Sequence, residues 1–326
     1  MSQQVAFDYL RHGQTPFFRL PLAKVEERGP AAYEGADAVI LGVPYDGGTT
    51  YQPGARFAPF HVRRVSALVQ SFHPVHRVDV FGALSVVDGG NVAIPPFAPA
   101  MVRELVQAEI ASVIAARAIP FVVGGDHSIA LPVLRALHAA HGPVTVVHVD
   151  AHLDTSSAET WMEPFHHGTP FRHAIAENLV ERGQLHQIGI RATWGKKDEA
   201  DVVLGHGGHI HTADDVAARG IADVMAEIRS LVGARPLYLS FDVDAVDPAF
   251  APGTGTPVPG GLTSREALAL VRGLAGCNLV GMDVVEIAPA LDHADVTSHL
   301  GAHLLFEGLA LLARARSQTQ SHRAAQ

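Results

Sequence analysis

The chain has 326 residues, 48% hydrophobic and 17% charged, enough apolar content to bury a large core. Its formal net charge of −9 is spread along the chain without a basic stripe, which removes the electrostatic basis for nucleic-acid binding and suits cationic ligands. One cysteine, Cys277, excludes an internal disulfide; with no signal-peptide pattern at the start and no apolar run of bilayer length, a cytoplasmic protein without membrane partners is expected.

Strand-like and helix-like stretches alternate along the chain. Residues 38–43 read as a strand, followed by a Gly-, Thr- and Pro-rich loop over 44–58 and a short strand at 85–87. Apolar residues three and four apart predict a helix over 100–116. A strand at 119–123, a helix at 129–141 and a strand at 144–149 follow. Shorter patterns at 185–190 and 209–211 read as strands, and 213–231 as one helix. The remaining expectations are a strand at 237–239, a helix at 264–275 capped by Thr263 and Glu266, a strand at 279–284 and a helix at 300–315. The polar tail 317–326 is expected to be disordered. This rhythm predicts a parallel sheet with helices on both faces. With no linker-like shift in composition and no internal repeat, one domain is expected.

Three segments carry the chemistry: Gly-Gly-Asp126-His127-Ser, Asp150-Ala-His152-Leu-Asp154 and Ser-Phe-Asp242-Val-Asp244-Ala-Val-Asp247-Pro. Each follows an apolar run, at the strand ends where open α/β sheets place their ligand sites. Carboxylates crowded there repel one another without a cation, so the pattern asks for more than one metal ion. If the strands stay extended, Asp150, His152 and Asp154 point to one side, as do Asp242 and Asp244. The oxygen-rich, thiolate-free set suits Mn²⁺ ahead of Co²⁺, Ni²⁺ or Zn²⁺. Two ions sharing carboxylates would lower the pKa of a water between them. A lone Asp or His at a strand end is more often a turn former or helix cap. That reading serves Asp126 and Asp247, which are assigned to hold backbone or orient ligands. It does not account for the other six together.

These segments resemble the signature segments of the ureohydrolases, the arginase and agmatinase family. The likeness continues through Gly42-Val-Pro-Tyr-Asp-Gly-Gly-Thr, Pro53-Gly-Ala-Arg-Phe-Ala-Pro, His167-Gly-Thr-Pro-Phe-Arg, Ala251-Pro-Gly-Thr-Gly-Thr-Pro and Val285-Glu-Ile-Ala-Pro-Ala. Within the family it is strongest to agmatinases, guanidinobutyrases and proclavaminate amidinohydrolases. The resemblance implies a single three-layer α/β/α domain with a mostly parallel, roughly eight-stranded sheet. An N-terminal arm would occupy 1–35, the catalytic domain 36–316 and the tail 317–326. It also implies two Mn²⁺ ions per chain and a homotrimer or homohexamer.

Carried over motif by motif, His127, Asp150, Asp154 and Asp242 would hold one ion. His152 and Asp244 would complete the other, with Asp150 and Asp242 bridging. Hydroxide between the ions would attack a guanidinium carbon, releasing urea and an amine. Asp154 would accept the proton of the hydroxide, and His167 would carry one to the leaving amine. Glu286 would anchor the guanidinium. With two ions and hydroxide the ligand set carries about −1, and Glu286 brings it to about −2, which attracts a planar cation able to donate paired hydrogen bonds. His166 is read as a packing or surface histidine.

The loop 155–165 lacks the Asn of arginases, which argues against arginine as substrate. Glu159 and Glu163 would suit a second cation, and Trp161 would shorten the pocket, pack on an alkyl chain or form a trimer contact. The loop offers no Arg or Lys to a substrate carboxylate, and Arg172 is given a structural role. The expected reaction is agmatine to putrescine and urea. Alternatives are 4-guanidinobutyrate, proclavaminate-like compounds and small alkylguanidines. A catalytically silent scaffold should have lost a metal ligand, His167 or Glu286, and a deacetylase-like amide hydrolase would normally carry a mononuclear site. The Arg11-His12-Gly13 match to histidine phosphatases lacks a preceding apolar strand, and Gly205-His-Gly-Gly-His reads as a turn.

Overall fold

Ala38 and Ile40 pack into one apolar core and Val39 and Leu41 into another, so strand β1 (Ala38–Gly42) is covered on both faces. That is the signature of a strand inside a parallel sheet sandwiched by helices. The same period of two places Phe121 and Val123 opposite Val122, Val147 and Val149 opposite Val146, and Leu237 and Leu239 opposite Tyr238. The computed structural model describes residues 15–23 and 29–324, with side chains through residue 318. Residues 11–14, which include the Arg-His-Gly match, lie outside them.

After β1 the sheet strands are β2 (Val86–Asn91), β3 (Ile119–Val123), β4 (Val144–Val149), β5 (Val180–Ile190), β6 (His209–Thr212), β7 (Pro236–Asp242) and β8 (Asn278–Val285). They pair in parallel in the order β2-β1-β3-β8-β7-β4-β5-β6. Helices α1 (Ala58–Ser66), α2 (Pro99–Ala115), α3 (Ala130–His141), α4 (Pro170–Ala176), α5 (Asp198–Gly205), α6 (Ala213–Arg219), α7 (Ile221–Val232), α8 (Ser264–Gly273) and α9 (Val296–Ala324) connect and flank them. Apolar residues of α1, α7, α8 and α9 fill one core, and those of α2, α3 and α4 fill the other. The expected three-layer architecture is present.

Several boundaries differ from the sequence reading. The helix expected over 213–231 is two helices, because Gly220 adopts φ +80 and ends α6 with its N–H on the Val216 carbonyl. Strand β7 runs three residues past 239, so Asp242 is its last residue rather than a loop residue. The C-terminal helix runs from Val296 to Ala324, beyond 300–315 on both sides, so 317–324 is helical where a disordered tail was expected. Over Val296–Gln318 it is long and apolar enough to cross a membrane, with mean hydropathy 1.3, which corrects the expectation that no such run exists. Since 78% of that window is buried, it reads as a core helix. Thr263 caps α8 and Glu266 returns the bond to the Thr263 backbone, as expected.

The topology decides where the motifs meet. β3, β8, β7 and β4 are consecutive across the middle of the sheet. Their C-terminal ends carry the His127 turn, Glu286, the Asp242–Asp244 turn and the Asp150–Asp154 segment, respectively. The turn after β3 passes so close to the preceding loop that a Cβ on Gly125 would meet the Tyr45 carbonyl oxygen at 1.4 Å. Only glycine fits there.

Candidate metal centre

The turns at the strand ends are built by the acidic side chains themselves. Asp150 Oδ1 accepts the His152 N–H at 2.6 Å, and Asp242 Oδ1 accepts the Asp244 N–H at 2.8 Å. Convergence therefore comes from tight turns in which a carboxylate bonds backbone two residues on, not from an extended strand. Asp154 sits at φ +50 and Glu286 at φ +63, backbone that non-glycine side chains adopt at a cost of about 1–3 kcal/mol and that clusters at functional sites.

Two donor groups result. His127 Nδ1 lies 3.1 Å from Asp150 Oδ2, 3.0 Å from Asp154 Oδ2 and 3.2 Å from Asp242 Oδ2. His152 Nδ1 lies 3.0 Å from Asp244 Oδ2 and 3.4 Å from Asp150 Oδ1. Asp150 thus gives one oxygen to each group. All six residues identified from the sequence come together, and all but the half-exposed ring of His152 are buried.

This donor set fits divalent cations. His127 Nδ1 is buried with no hydrogen-bond partner although three carboxylate oxygens surround it, the arrangement of ligands around a common ion. Burial, then Asp244 and Asp150, pushes the Asp242 carboxyl well above the usual range. Burial and Asp150 raise Asp244 as well. Positive charge among these carboxylates relieves both effects. The oxygen-rich set with two imidazoles matches the preferences of Mn²⁺.

Asp126 Oδ1 accepts the Ser128 N–H at 3.0 Å and Oδ2 the Gly48 N–H at 2.7 Å. Asp247 accepts backbone N–H groups of Ala249, Gly260 and Gly261. Both hold backbone.

His167 and Glu286 are joined. Glu286 Oε1 accepts the His127 N–H and lies 2.9 Å from His167 Nδ1. Thr50 faces the other ring nitrogen, its hydroxyl at 2.8 Å and its N–H at 3.2 Å. Burial pulls the His167 pKa down, but Glu286, Asp154 and Asp126 outweigh it and carry it up to about 9. Glu286 lies behind His167, which forms part of the wall of a cavity of about 330 Å³.

That cavity is lined by His152, Asp154, Asp242 and Asp244 and also by Trp161 and Trp194. No Lys or Arg side chain lines it among the described residues. Glu159 and Glu163, expected to suit a second substrate cation, lie elsewhere. Glu159 is exposed and paired with Lys196, and Glu163 bonds the Phe165 N–H. Neither lines the cavity, whereas the buried Glu199 does. Arg172 binds the Thr155 carbonyl and Asp198, a structural role as expected.

Sequence reading overlooked the residues behind the ligands. His148 Nε2 lies 2.8 Å from Asp150 Oδ2. The Gln187 amide donates to His148 Nδ1 and to the Leu153 carbonyl, so the Nε2 proton of His148 points at Asp150. Arg191 binds the carbonyls of Asp244, Ala245 and Val258 and so holds the Asp244 turn. Their signal was present in the sequence. His148, Gln187 and Ser240 are polar residues inside buried strands, where polar side chains need a partner.

A parallel three-layer fold with an acidic, imidazole-bearing cluster at the ends of its central strands is an architecture that could hold divalent metal at a hydrolytic site. The chain belongs to the arginase family, whose model matches residues 36–310. It is 43% identical to proclavaminate amidinohydrolase of Streptomyces clavuligerus, over 91% of this chain and 94% of that one. The structure of that protein superposes with a TM-score of 0.86 at 42% identity, covering 93% of this chain and 98% of the other. Mitochondrial agmatinase of Gallus gallus is 41% identical over 86% of this chain and 82% of its own length. Guanidinobutyrase of Pseudomonas aeruginosa is 38% identical over 92% of each. The protein is an arginase-family amidinohydrolase acting on C–N bonds of guanidino compounds.

Proposed function

We propose that this chain is a two-manganese amidinohydrolase that converts agmatine to putrescine and urea. The observation that carries the reading is the cavity itself, whose wall includes the metal-type donors His152, Asp154, Asp242 and Asp244 and, among the described residues, no Lys or Arg. A substrate with a cationic tail enters such a site more readily than a carboxylate. His127, Asp150, Asp154 and Asp242 would hold one ion, and His152, Asp244, Asp150 and Asp242 the other. Bound Mn²⁺ supplies Lewis acidity that makes water nucleophilic near neutral pH.

The chain's own residues supply the rest. Asp154, at the edge of the cavity, accepts a proton from the attacking water. The guanidinium of the substrate takes over the Glu286 carboxylate from the imidazole of His167, one cation replacing another. His167, released, passes its proton to the leaving amine. Trp161 and Trp194 pack on the alkyl chain of the substrate. Assembly as a trimer or hexamer and a cytoplasmic location belong to the same proposal.

A second reading is a guanidino acid such as 4-guanidinobutyrate, favoured by the likeness to guanidinobutyrase. Urea release by Mn²⁺-loaded protein from agmatine, 4-guanidinobutyrate, 3-guanidinopropionate, arginine and alkylguanidines separates the two. Agmatine should give the highest kcat/KM. Preference for an acid would overturn the choice of substrate, and silence across the panel with two ions bound would overturn the activity. Sedimentation of the holoprotein tests the assembly.

A further inference from the structure

One buried acidic side chain is not used by the reaction outlined above. Asp283, in the middle of β8, is completely buried, and no Lys, Arg or His forms an ion pair with it among the described residues. A carboxylate so placed is expensive unless donors surround it. Three do. The Tyr238 hydroxyl bonds Oδ2, while the Ser240 hydroxyl at 2.8 Å and the Phe241 N–H at 3.2 Å bond Oδ1. Tyr238 holds Oδ2, whereas Oδ1 is connected through Ser240 toward the metal-type cluster.

The direction of that connection follows from the donor inventory. A carboxylate accepts, so Ser240 donates its hydroxyl proton to Asp283. The Ser240 oxygen is then left to accept, and the atom facing it, 2.8 Å away, is His127 Nε2. His127 therefore carries its ring proton on Nε2. Nδ1 is then the ring nitrogen left to meet a cation, and it faces Asp150, Asp154 and Asp242 with no hydrogen bond of its own. Phe171 packs edge-on against the same ring, centroids 5.4 Å apart, and limits its rotation.

We propose that Asp283 is a positioning residue for the metal centre, acting through Ser240 to lock His127 in the tautomer and orientation that present Nδ1 to a divalent cation. The inference rests on reading the cluster as a cation site. Partners of this kind behind a ligand histidine typically change metal affinity by about 10- to 100-fold.

The test is Mn²⁺ binding by the full-length protein, stripped with a chelator and titrated while free Mn²⁺ is followed by electron paramagnetic resonance. Wild type, Ser240→Ala, Asp283→Asn, His127→Ala and the Ser240→Ala/His127→Ala double variant are compared. The expected result is two ions in wild type and a selective weakening of one, about 10- to 100-fold, in Ser240→Ala and Asp283→Asn. In the His127→Ala background Ser240→Ala should cause no further change, because its only route to the metal is already gone. Circular dichroism of the metal-free proteins checks folding. Ser240→Ala deletes a single oxygen and decides the matter if Asp283→Asn does not fold. Two ions held with unchanged affinity by Ser240→Ala would overturn the relay and leave the metal reading standing. Equal weakening with and without His127 would overturn it as well. Wild-type protein that takes up no Mn²⁺ would overturn both.

Discussion

His167 Nδ1 and Glu286 Oε1 lie 2.9 Å apart, so the two residues assigned from the sequence to proton delivery and to guanidinium binding are hydrogen-bonded to each other. The carboxylate raises the imidazole pKa to about 9, against the opposing effect of burial. Glu286→Gln removes that charge, and the His167 pKa should fall toward its ordinary value. The alkaline limb of the kcat/KM profile, which reports the free enzyme, should then move to lower pH, and KM should rise because the guanidinium loses its counter-charge. His167→Asn should retain both metal ions and lose about 10²- to 10⁴-fold in kcat. Unchanged turnover in His167→Asn would remove it from proton transfer. Thr50→Val, which takes a hydroxyl from the same ring, should cost about 0.5–1.5 kcal/mol of that positioning, a few-fold to about tenfold in rate.

Metal uptake should release protons. Burial and neighbouring carboxylates raise Asp242 and Asp244. Burial opposes, but carboxylate partners raise, His127 and His152. All four groups therefore hold protons in the metal-free protein to higher pH than usual, and ligation must displace them. Apparent Mn²⁺ affinity should rise as pH increases from 6 to 8. Calorimetry in buffers of different ionisation enthalpy measures the protons released at pH 7; a value of zero would contradict the clustered geometry.

Two tryptophans line the cavity. Trp161 is 58% exposed and Trp194 45% exposed, so each has a large free surface for an alkyl chain. Trp161→Ala and Trp194→Ala should shift the ratio of kcat/KM between agmatine and shorter guanidines by roughly tenfold, about 1.4 kcal/mol. The fold should be unaffected, since both rings leave little apolar packing behind. An unchanged chain-length profile would place both outside the substrate path.

Stability should fall on the acid side for a reason remote from the metal. His186 is fully buried in β5, and its pKa is carried down to about 3 by burial, with His209 and His211 adding to it. Between its ordinary value near 6.5 and about 3, the unfolded chain binds a proton that the folded chain does not. Stability is therefore intact above that window and declines through it as pH falls, by about 1.4 kcal/mol per pH unit from this group. Thermal unfolding of His186→Leu from pH 7 to 4 should show a correspondingly shallower acid limb.

Much of this was legible in order along the chain. Apolar runs of five or six residues marked β1, β3 and β4, because strands buried on both faces admit little else. Helix boundaries were harder. The 3.6-residue pattern continues through Gly220 although the backbone there cannot, so one expected helix is two. The six metal-type donors and the pair His167 and Glu286 were identifiable because acids and imidazoles at strand ends, in this spacing, match one family's motifs. Glu159 and Glu163 were misread because a sequence does not say which loop carboxylate faces inward. Lys196 and the Phe165 backbone claim them, and Glu199, some forty residues from Glu159, lines the cavity instead.

By itself the sequence determined the alternation of elements, the parallel sheet and the identity of the donor side chains. These follow from short-range periodicity and from the chemistry of residues adjacent in the chain. Only the tertiary structure decided that β3, β8, β7 and β4 lie side by side, which brings His127, Glu286, Asp242 and Asp150 within one cluster. It also decided that Asp150 divides its oxygens between two histidines, and that Asp283 stands behind Ser240 and His127. Such relationships join residues up to about 160 positions apart through sheet order and turn geometry, and hydrogen-bond direction becomes decidable only once donors and acceptors are fixed in space.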